Sequence, residues 1–410
     1  MRFLHVYFAF AAGYLLSYLY RTVNAVISPE LTRDLALSPT SLGLLTSAYF
    51  LAFAAMQIPV GILLDRYGPR RVEPVLLALA AVGAALFAFA ETLAGLAVAR
   101  AVIGAGVCAC LMAPLKAIAE WFPADRQASY AGWIMVAGGV GALLASVPLE
   151  LALHVTDWRG VFVGLSIVTF VVAFAIAWRV PDIAKPRDAG SFRAQLAGVR
   201  SVLAHPRFWW IAPFGALVMG SFMAIQGLWA VPWLIEVEGL SRAGAAQYLL
   251  LMNGVIMIGY VALGFFGTRL ARRGIHARHL FATGFAVNMA ALALIVLRVP
   301  GGLAWWVLYG VGAAVNVLAF TVLNEGFGRD RAGRTSTTLN LMMFVVSFAV
   351  QWGIGVIVDA ARLAWGLDNA GGLRIAFAAI LAADVAALLW FVRGWKRHGV
   401  HAPVAAATAG

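Results

Sequence analysis

Apolar runs of about 20 residues recur along this chain, each long enough to cross a hydrocarbon core of about 30 Å as a helix. A backbone surrounded by lipid must satisfy its own N–H and C=O groups, so only helices and closed barrels are admissible there. Barrel strands would read as alternating segments of about ten residues. The runs here are longer and continuous, as in "VLLALAAVGAALFAFA" from Val75. Residues are 63% hydrophobic and 12% charged, roughly half the charge of an ordinary soluble domain. The expectation is an all-α, multi-pass membrane protein.

Twelve spans are predicted, at about 5–28, 38–62, 72–90, 93–118, 128–150, 160–180, 208–235, 244–267, 279–298, 302–325, 337–359 and 373–393. The longest connection, 181–207, is rich in Pro, Arg and Lys. It divides the chain into an N-terminal six-helix bundle (1–180) and a C-terminal one (208–394), followed by a tail (395–410). With the N-terminus in the cytoplasm, most of the 30 Lys and Arg fall in cytoplasmic loops, as the positive-inside rule requires. Both termini are then cytoplasmic, and the net charge of +12 reports topology rather than nucleic-acid binding. The N-terminal apolar run follows Arg2 like a signal peptide, but Tyr20-Arg21-Thr22 offers no small-residue cleavage site, so the first span is retained. Cys108 and Cys110 point to nearly opposite helix faces and read as small core residues.

The two parts of the chain echo one another. "GILLDRYGPRR" from Gly61 is matched by "GFFGTRLARRG" from Gly264, "DRQASYAG" from Asp125 by "DRAGRTST" from Asp330, and "WRGVF" from Trp158 by "LRIAF" from Leu373. Six helices per repeat is an even number, so both repeats enter the membrane in the same direction. Parallel repeats place a pathway at their interface.

The stretch Gly61–Arg71, between spans two and three, resembles the signature loop of the major facilitator superfamily. Arg100-Ala-Val-Ile-Gly104-Ala-Gly106 in span four is similar to a second motif of that family. The resemblance implies a transporter working by alternating access in a bacterial-type inner membrane, as a monomer and without a cofactor. It also implies a cytoplasmic latch made by Gly61, Asp65, Arg66 and Arg70, with Asp125 and Arg126 of the next cytoplasmic loop as partners. Gly61 would admit a neighbouring helix, and Asp65 would accept from the amides of a helix N-terminus. The second copy has Thr268 in place of the aspartate, so gating is expected to be lopsided.

Arg21 lies deep in span one, where insertion costs about 2.5–3.5 kcal/mol. Ser17, Arg21, Asn24 and Ser28 share one helical stripe, with Tyr14 at its edge. A polar stripe on an apolar helix should face a wet cavity. "YLYRTVNAVISPEL" resembles the first helix of the organophosphate:phosphate antiporters, which implies that Arg21 binds the substrate anion. Those carriers place a second arginine in the seventh span; here no Lys or Arg lies between Phe208 and Ser241. One guanidinium matches one carboxylate, so the expected substrate is a small organic monoanion or zwitterion.

Gln226 and Trp229, with Trp233, share a face in span seven; Asn340, Ser347 and Gln351 share one in span eleven, beside Phe344. Amides and aromatics suit an organic ligand with a polar head. Trp305 and Trp306 read as interfacial anchors, and Asn253 and Asn316 as lone amides. Arg100 and Asp384 are the coupling candidates, Asp384 being read as the one carboxylate deep in a span; Lys116 and Glu325 sit at the cytoplasmic mouth. No Walker loop, zinc-ligand spacing or nucleophile elbow is present, so no enzyme and no metal site is expected. The expected partners are a small anion, the bilayer and protons, with transport in either direction coupled to protons or driven by exchange. Efflux of amphipathic compounds and a transporter-like sensor are the competing readings.

Overall fold

The computed structural model describes residues 2–122, 124–181, 192–325, 327 and 332–398, all of them helix or connecting turn. The N-terminal part comprises α1 (Arg2–Leu35), α2 (Pro39–Tyr67), α3 (Pro69–Phe89), α4 (Leu93–Val107), α5 (Met112–Trp121), α6 (Ala124–Leu144), α7 (Val147–Ala152) and α8 (Trp158–Arg179). A connecting helix α9 (Phe192–Leu203) follows. The C-terminal part comprises α10 (Pro206–Ala224), a π-helical turn (Ile225–Trp229), α11 (Ala230–Glu236), α12 (Arg242–Arg272), α13 (Ala277–Val296), α14 (Leu303–Ala313), a 3-10 turn (Ala314–Val317), α15 (Leu318–Glu325), α16 (Ala332–Trp365) and α17 (Asn369–His398).

Ten helices or helix pairs among the described residues are long and apolar enough to cross a membrane. Two further elements fall outside that set: α1, which carries the polar stripe, and α6, whose apolar part is Ser129–Leu144. The connection expected as an open loop holds the helix α9 instead.

Prolines explain the interruptions. A proline has no N–H and its ring crowds the carbonyl four residues back. Pro114 stands four residues after Cys110, and the chain turns out of helix between α4 and α5 there. Pro148 stands four after Leu144, where α6 ends. Pro232 stands four after Leu228, inside the π turn, where the Ala230 N–H reaches back to the Ile225 carbonyl.

The two parts of the chain meet chiefly where α16 lies along α2. Phe53 stacks on Phe344 with centroids 4.1 Å apart, and the Asn340 amide donates to Gln57 Oε1 at 2.8 Å. Further along, the Thr40 N–H donates to Asp359 at 2.9 Å. Gly355 sits so close to the start of α2 that an added Cβ would overlap the Pro39 carbonyl and lie 2.9 Å from Thr40 Cα. Gly355→Val is therefore expected to lower the melting temperature of the detergent-purified protein, in keeping with an overpacking cost of about 1–3 kcal/mol.

Candidate substrate site at the seam

Arg21 sits at this seam. It is 9% exposed, and its guanidinium carbon lies 4.6 Å from the Tyr18 ring centroid, 5.3 Å from Phe344 and 5.6 Å from Phe53. Among the described residues no carboxylate pairs with it, and its Nε is buried without a hydrogen-bond partner. Three aromatic faces thus do the work that an ion pair would do elsewhere; each contact of this kind contributes about 0.5–2 kcal/mol. Tyr18, Phe53 and Phe344 come from α1, α2 and α16, so the cage closes only when both parts of the chain are together.

The other members of the stripe split up. Asn24 donates to Thr46 Oγ1 at 3.0 Å, and its own carbonyl oxygen is buried without a partner. Ser17 donates to the Val107 carbonyl at 3.4 Å, Tyr14 to the Met135 sulfur at 3.8 Å, and Ser28 to the Ala25 carbonyl within its own helix. All are buried against neighbouring helices of the N-terminal part, so the single wet stripe expected from periodicity is not what forms. Arg21 turns toward α16 of the C-terminal part, over Phe344.

From the C-terminal side, Gln351 presents a carboxamide whose nitrogen and oxygen are both buried without partners. Its backbone carbonyl accepts from Trp229 Nε1 at 2.9 Å. A Cβ built on Gly227 would lie 3.3 Å from the Arg21 carbonyl and 3.7 Å from Gln351 Oε1, which brings the two polar groups to the same seam. Gln226 is engaged: it donates to Asn253 at 2.6 Å, and Asn253 donates across the seam to the Ala142 carbonyl at 3.2 Å. Asn340 is bonded to Gln57, Ser347 to the Met343 carbonyl, and Asn316 accepts from Tyr260 at 3.1 Å. Trp233 turns away from the site to stack on Phe377 and to share Glu238 with Trp306 at 3.0 and 2.9 Å. Trp306 is buried, not an interfacial anchor, and Trp305 donates to the Val299 carbonyl. The π turn is why Gln226 and Trp233 do not share the face that α-helical spacing predicts.

At the end of the bundle that carries the α2–α3 turn, Asp65 accepts from Lys116 Nζ at 2.6 Å, and the same ammonium reaches the Leu64 carbonyl at 2.8 Å. The expected helix-terminus role of Asp65 gives way to an ion pair with α5. Arg66 lies over Tyr67, and Arg70 donates to the Ala177 carbonyl of α8 at 3.4 Å. Gly61 is not tightly packed: the nearest atom to an added Cβ is Gln195 Oε1 at 3.7 Å. Arg126 is exposed, while the side chains of Asp125, Thr268 and Glu325 lie outside the described residues. With Asp65 45% exposed, Lys116→Gln is expected to change the melting temperature little, as exposed pairs contribute about 0–1 kcal/mol.

Arg100 donates to the Tyr20 carbonyl at 3.0 Å and lies over Tyr49, joining α4 to α1 and α2. Asp384 accepts from Ser221 at 3.0 Å, joining α17 to α10. Two clusters escaped the sequence reading. At the end opposite the α2–α3 turn, Arg242 of α12 pairs with Glu30 of α1 and lies 3.6 Å from Glu150 of α7, which also meets His154 at 2.9 Å. Asp384 is also not the only deep carboxylate, because Glu73 of α3 is fully buried.

Apolar helices packed as two sets about a seam, with a guanidinium caged between them, are an arrangement that suits a multi-pass membrane transporter. The sequence pattern of the Major Facilitator Superfamily matches residues 10–351, and the chain belongs to that family. It is 27% identical over 380 residues to the hexuronate transporter of Escherichia coli (strain K12), covering 85% of each chain. It is 31% identical over 166 residues to the galacturonate transporter of Dickeya chrysanthemi, covering 40% of this chain and 48% of that one. The fold is similar to a crystal structure of a bacterial homologue of the human lysosomal transporter Spinster, with a TM-score of 0.78, 19% identity and coverage of 95% and 96% of the two chains.

Proposed function

We propose that this protein is a secondary carrier for small organic monoanions of the sugar-carboxylate type, with hexuronates the leading substrates. The observation that carries the reading is Arg21: a buried guanidinium with no acid partner among the described residues, caged at the seam by Tyr18, Phe53 and Phe344, with the unpartnered carboxamide of Gln351 on the facing helix α16. A carboxylate accepts two parallel N–H bonds from such a group, and sugar hydroxyls supply both donors and acceptors for Gln351 and for the Asn24 oxygen. Two relatives are named for hexuronate and galacturonate, each carrying one carboxylate. The first helix resembles the organophosphate:phosphate antiporters over "YLYRTVNAVISPEL"; without a second cation in span seven, a monoanion fits better than a phosphate dianion.

In this reading twelve spans form two six-helix repeats (1–180 and 208–394) joined by 181–207, with both termini in the cytoplasm of a bacterial-type cell and the protein acting as a monomer. The α2–α3 end is then cytoplasmic, and Arg242 with Glu30 and Glu150 closes the outer side. Uptake is coupled to protons or proceeds by exchange.

Thermal unfolding in detergent tests the reading. Galacturonate, glucuronate, aliphatic carboxylates, sugar phosphates, amino acids and cationic amphiphiles would be compared. A ligand at 100 times its dissociation constant should stabilise by about 2.7 kcal/mol. Stabilisation by hexuronates supports the proposal. A response to cationic amphiphiles alone would overturn it in favour of efflux.

A further inference from the structure

The geometry points to Glu73 as a proton-binding site that the carrier loads and empties as it turns over. Glu73 is 0% exposed, and among the described residues its carboxylate has no partner beyond the weak donor of the Cys110 thiol. It is lodged where three elements meet. On α1, a Cβ added to Gly13 would lie 2.5 Å from Glu73 Oε1 and 3.7 Å from its carboxyl carbon, so the glycine is what leaves room for the acid. On α3 its neighbour is Leu77. The third element is the break between α4 and α5, where Cys110 is buried beside it.

Among the described residues no cation answers this acid. Lys116 of α5 is held by Asp65 and Leu64 of α2. Arg100 of α4 is spent on the Tyr20 carbonyl, and Arg21 lies eight residues further along α1 in its aromatic cage. Arg66 of α2 lies over Tyr67, Arg70 reaches the Ala177 carbonyl of α8, Arg179 of α8 lies over Trp178, and Arg71 and Glu120 are exposed. Among the described residues the only titratable side chain facing Glu73 is the Cys110 thiol. A carboxylate buried without a cation, with only a weak thiol donor beside it, is compatible with an apolar interior only as the neutral acid. The bound species is one proton on one carboxylate oxygen, and it leaves as the same proton to water, with no electron transfer.

The position also suits a carrier's cycle. Glu73 rests against a helix break, which can shift without disrupting a continuous ladder of hydrogen bonds, and against the helix that bears Arg21. When α1 and the α4–α5 break move, the pocket opens to water and the proton can exchange. One proton on Glu73 together with one carboxylate on Arg21 makes a transported load without net charge. This coupling role rests on the carrier reading above; the proton site itself does not.

The test has two arms. In the first, infrared difference spectra of the full-length protein in lipid nanodiscs, recorded between acid and alkaline pH, should show the carbonyl stretch of a buried carboxylic acid. Glu73→Gln should remove that band, while Asp384→Asn should leave it. Should Glu73→Gln fail to fold, Cys110→Ser replaces it: a hydroxyl beside the acid should shift the band to lower frequency. A band that survives Glu73→Gln, or that ignores Cys110→Ser, overturns the proposal. In the second arm, galacturonate uptake into proteoliposomes driven by a pH gradient should fall roughly tenfold or more in Glu73→Gln, whereas galacturonate–galacturonate exchange persists, because linkage between the two sites is lost but the anion site is not. Gradient-driven uptake equal to wild type overturns the coupling role. If wild type moves no galacturonate, the hexuronate reading fails, and the infrared arm still decides Glu73.

Discussion

Arg21→Ala is expected to weaken galacturonate binding by roughly 30-fold or more, because removing one partner of a desolvated charge pair costs about 2–5 kcal/mol. Isothermal titration in detergent measures it. The ligand-free variant should melt only modestly below wild type, and a large loss of affinity beside it separates the anion role from a structural one. In the free protein Arg21 has no acid to lose, and its Nε is already unpartnered; the contacts given up with the Tyr18, Phe53 and Phe344 rings are offset in part by the desolvation cost that leaves with the charge. Arg21→Lys should recover little of the affinity, since an ammonium cannot present two parallel donors to a carboxylate. A variant that melts far below wild type and still binds galacturonate normally would assign Arg21 to structure.

The second large effect is expected from Arg242→Ala. Arg242, Glu30 and Glu150 have side-chain exposures of 28%, 13% and 6%, so the variant leaves two largely buried acids without the guanidinium they share, with only the His154 imidazole beside Glu150. Breaking a buried pair by removing one partner costs about 3–5 kcal/mol. The pairing joins α1 and α7 to α12, so the cost falls on the state in which this end is closed, and about 2.7 kcal/mol already changes a two-state ratio 100-fold. Spin labels at Arg33→Cys and Leu363→Cys, both exposed at this end on opposite sides of the seam, should report a longer distance in the variant. The buried Cys108 and Cys110 leave the labelling selective. An unchanged distance distribution would mean that the α2–α16 packing, and not the ion pair, holds this end shut.

What could be read before the structure follows from range of interaction. Long apolar runs specify helices locally, and an arginine in the middle of one is conspicuous whatever surrounds it. Glu73 was hidden because it follows "DRYGPRR" and so looks like the last charge of a loop, whereas α3 begins at Pro69 and draws it inside. Glu30, Arg242 and Glu150 each sit at the margin of an apolar run, and their meeting depends on packing between residues 212 apart in the case of Arg242 and Glu30. The aromatic cage has the same origin, since Tyr18, Phe53 and Phe344 each look like ordinary apolar filler. Asp65 was expected at a helix N-terminus, and its partner, Lys116, is 51 residues away on α5. The prolines were the missed local signal: Pro114, Pro148 and Pro232 each mark an interruption of helix four residues earlier.

The π turn at Ile225–Trp229 has a practical consequence for engineering selectivity. A π turn accommodates one extra residue in a helix, which rotates everything beyond it by about 100° relative to an uninterrupted α-helix. Positions before Gln226 and after Trp229 therefore keep separate angular registers. A specificity residue transplanted from a carrier with a straight seventh span, counted from the Pro206 end, would arrive beyond Trp229 pointing at lipid or at a neighbouring helix instead of at the solute. Counting must restart after the turn, or Pro232 must be replaced together with the residue being moved.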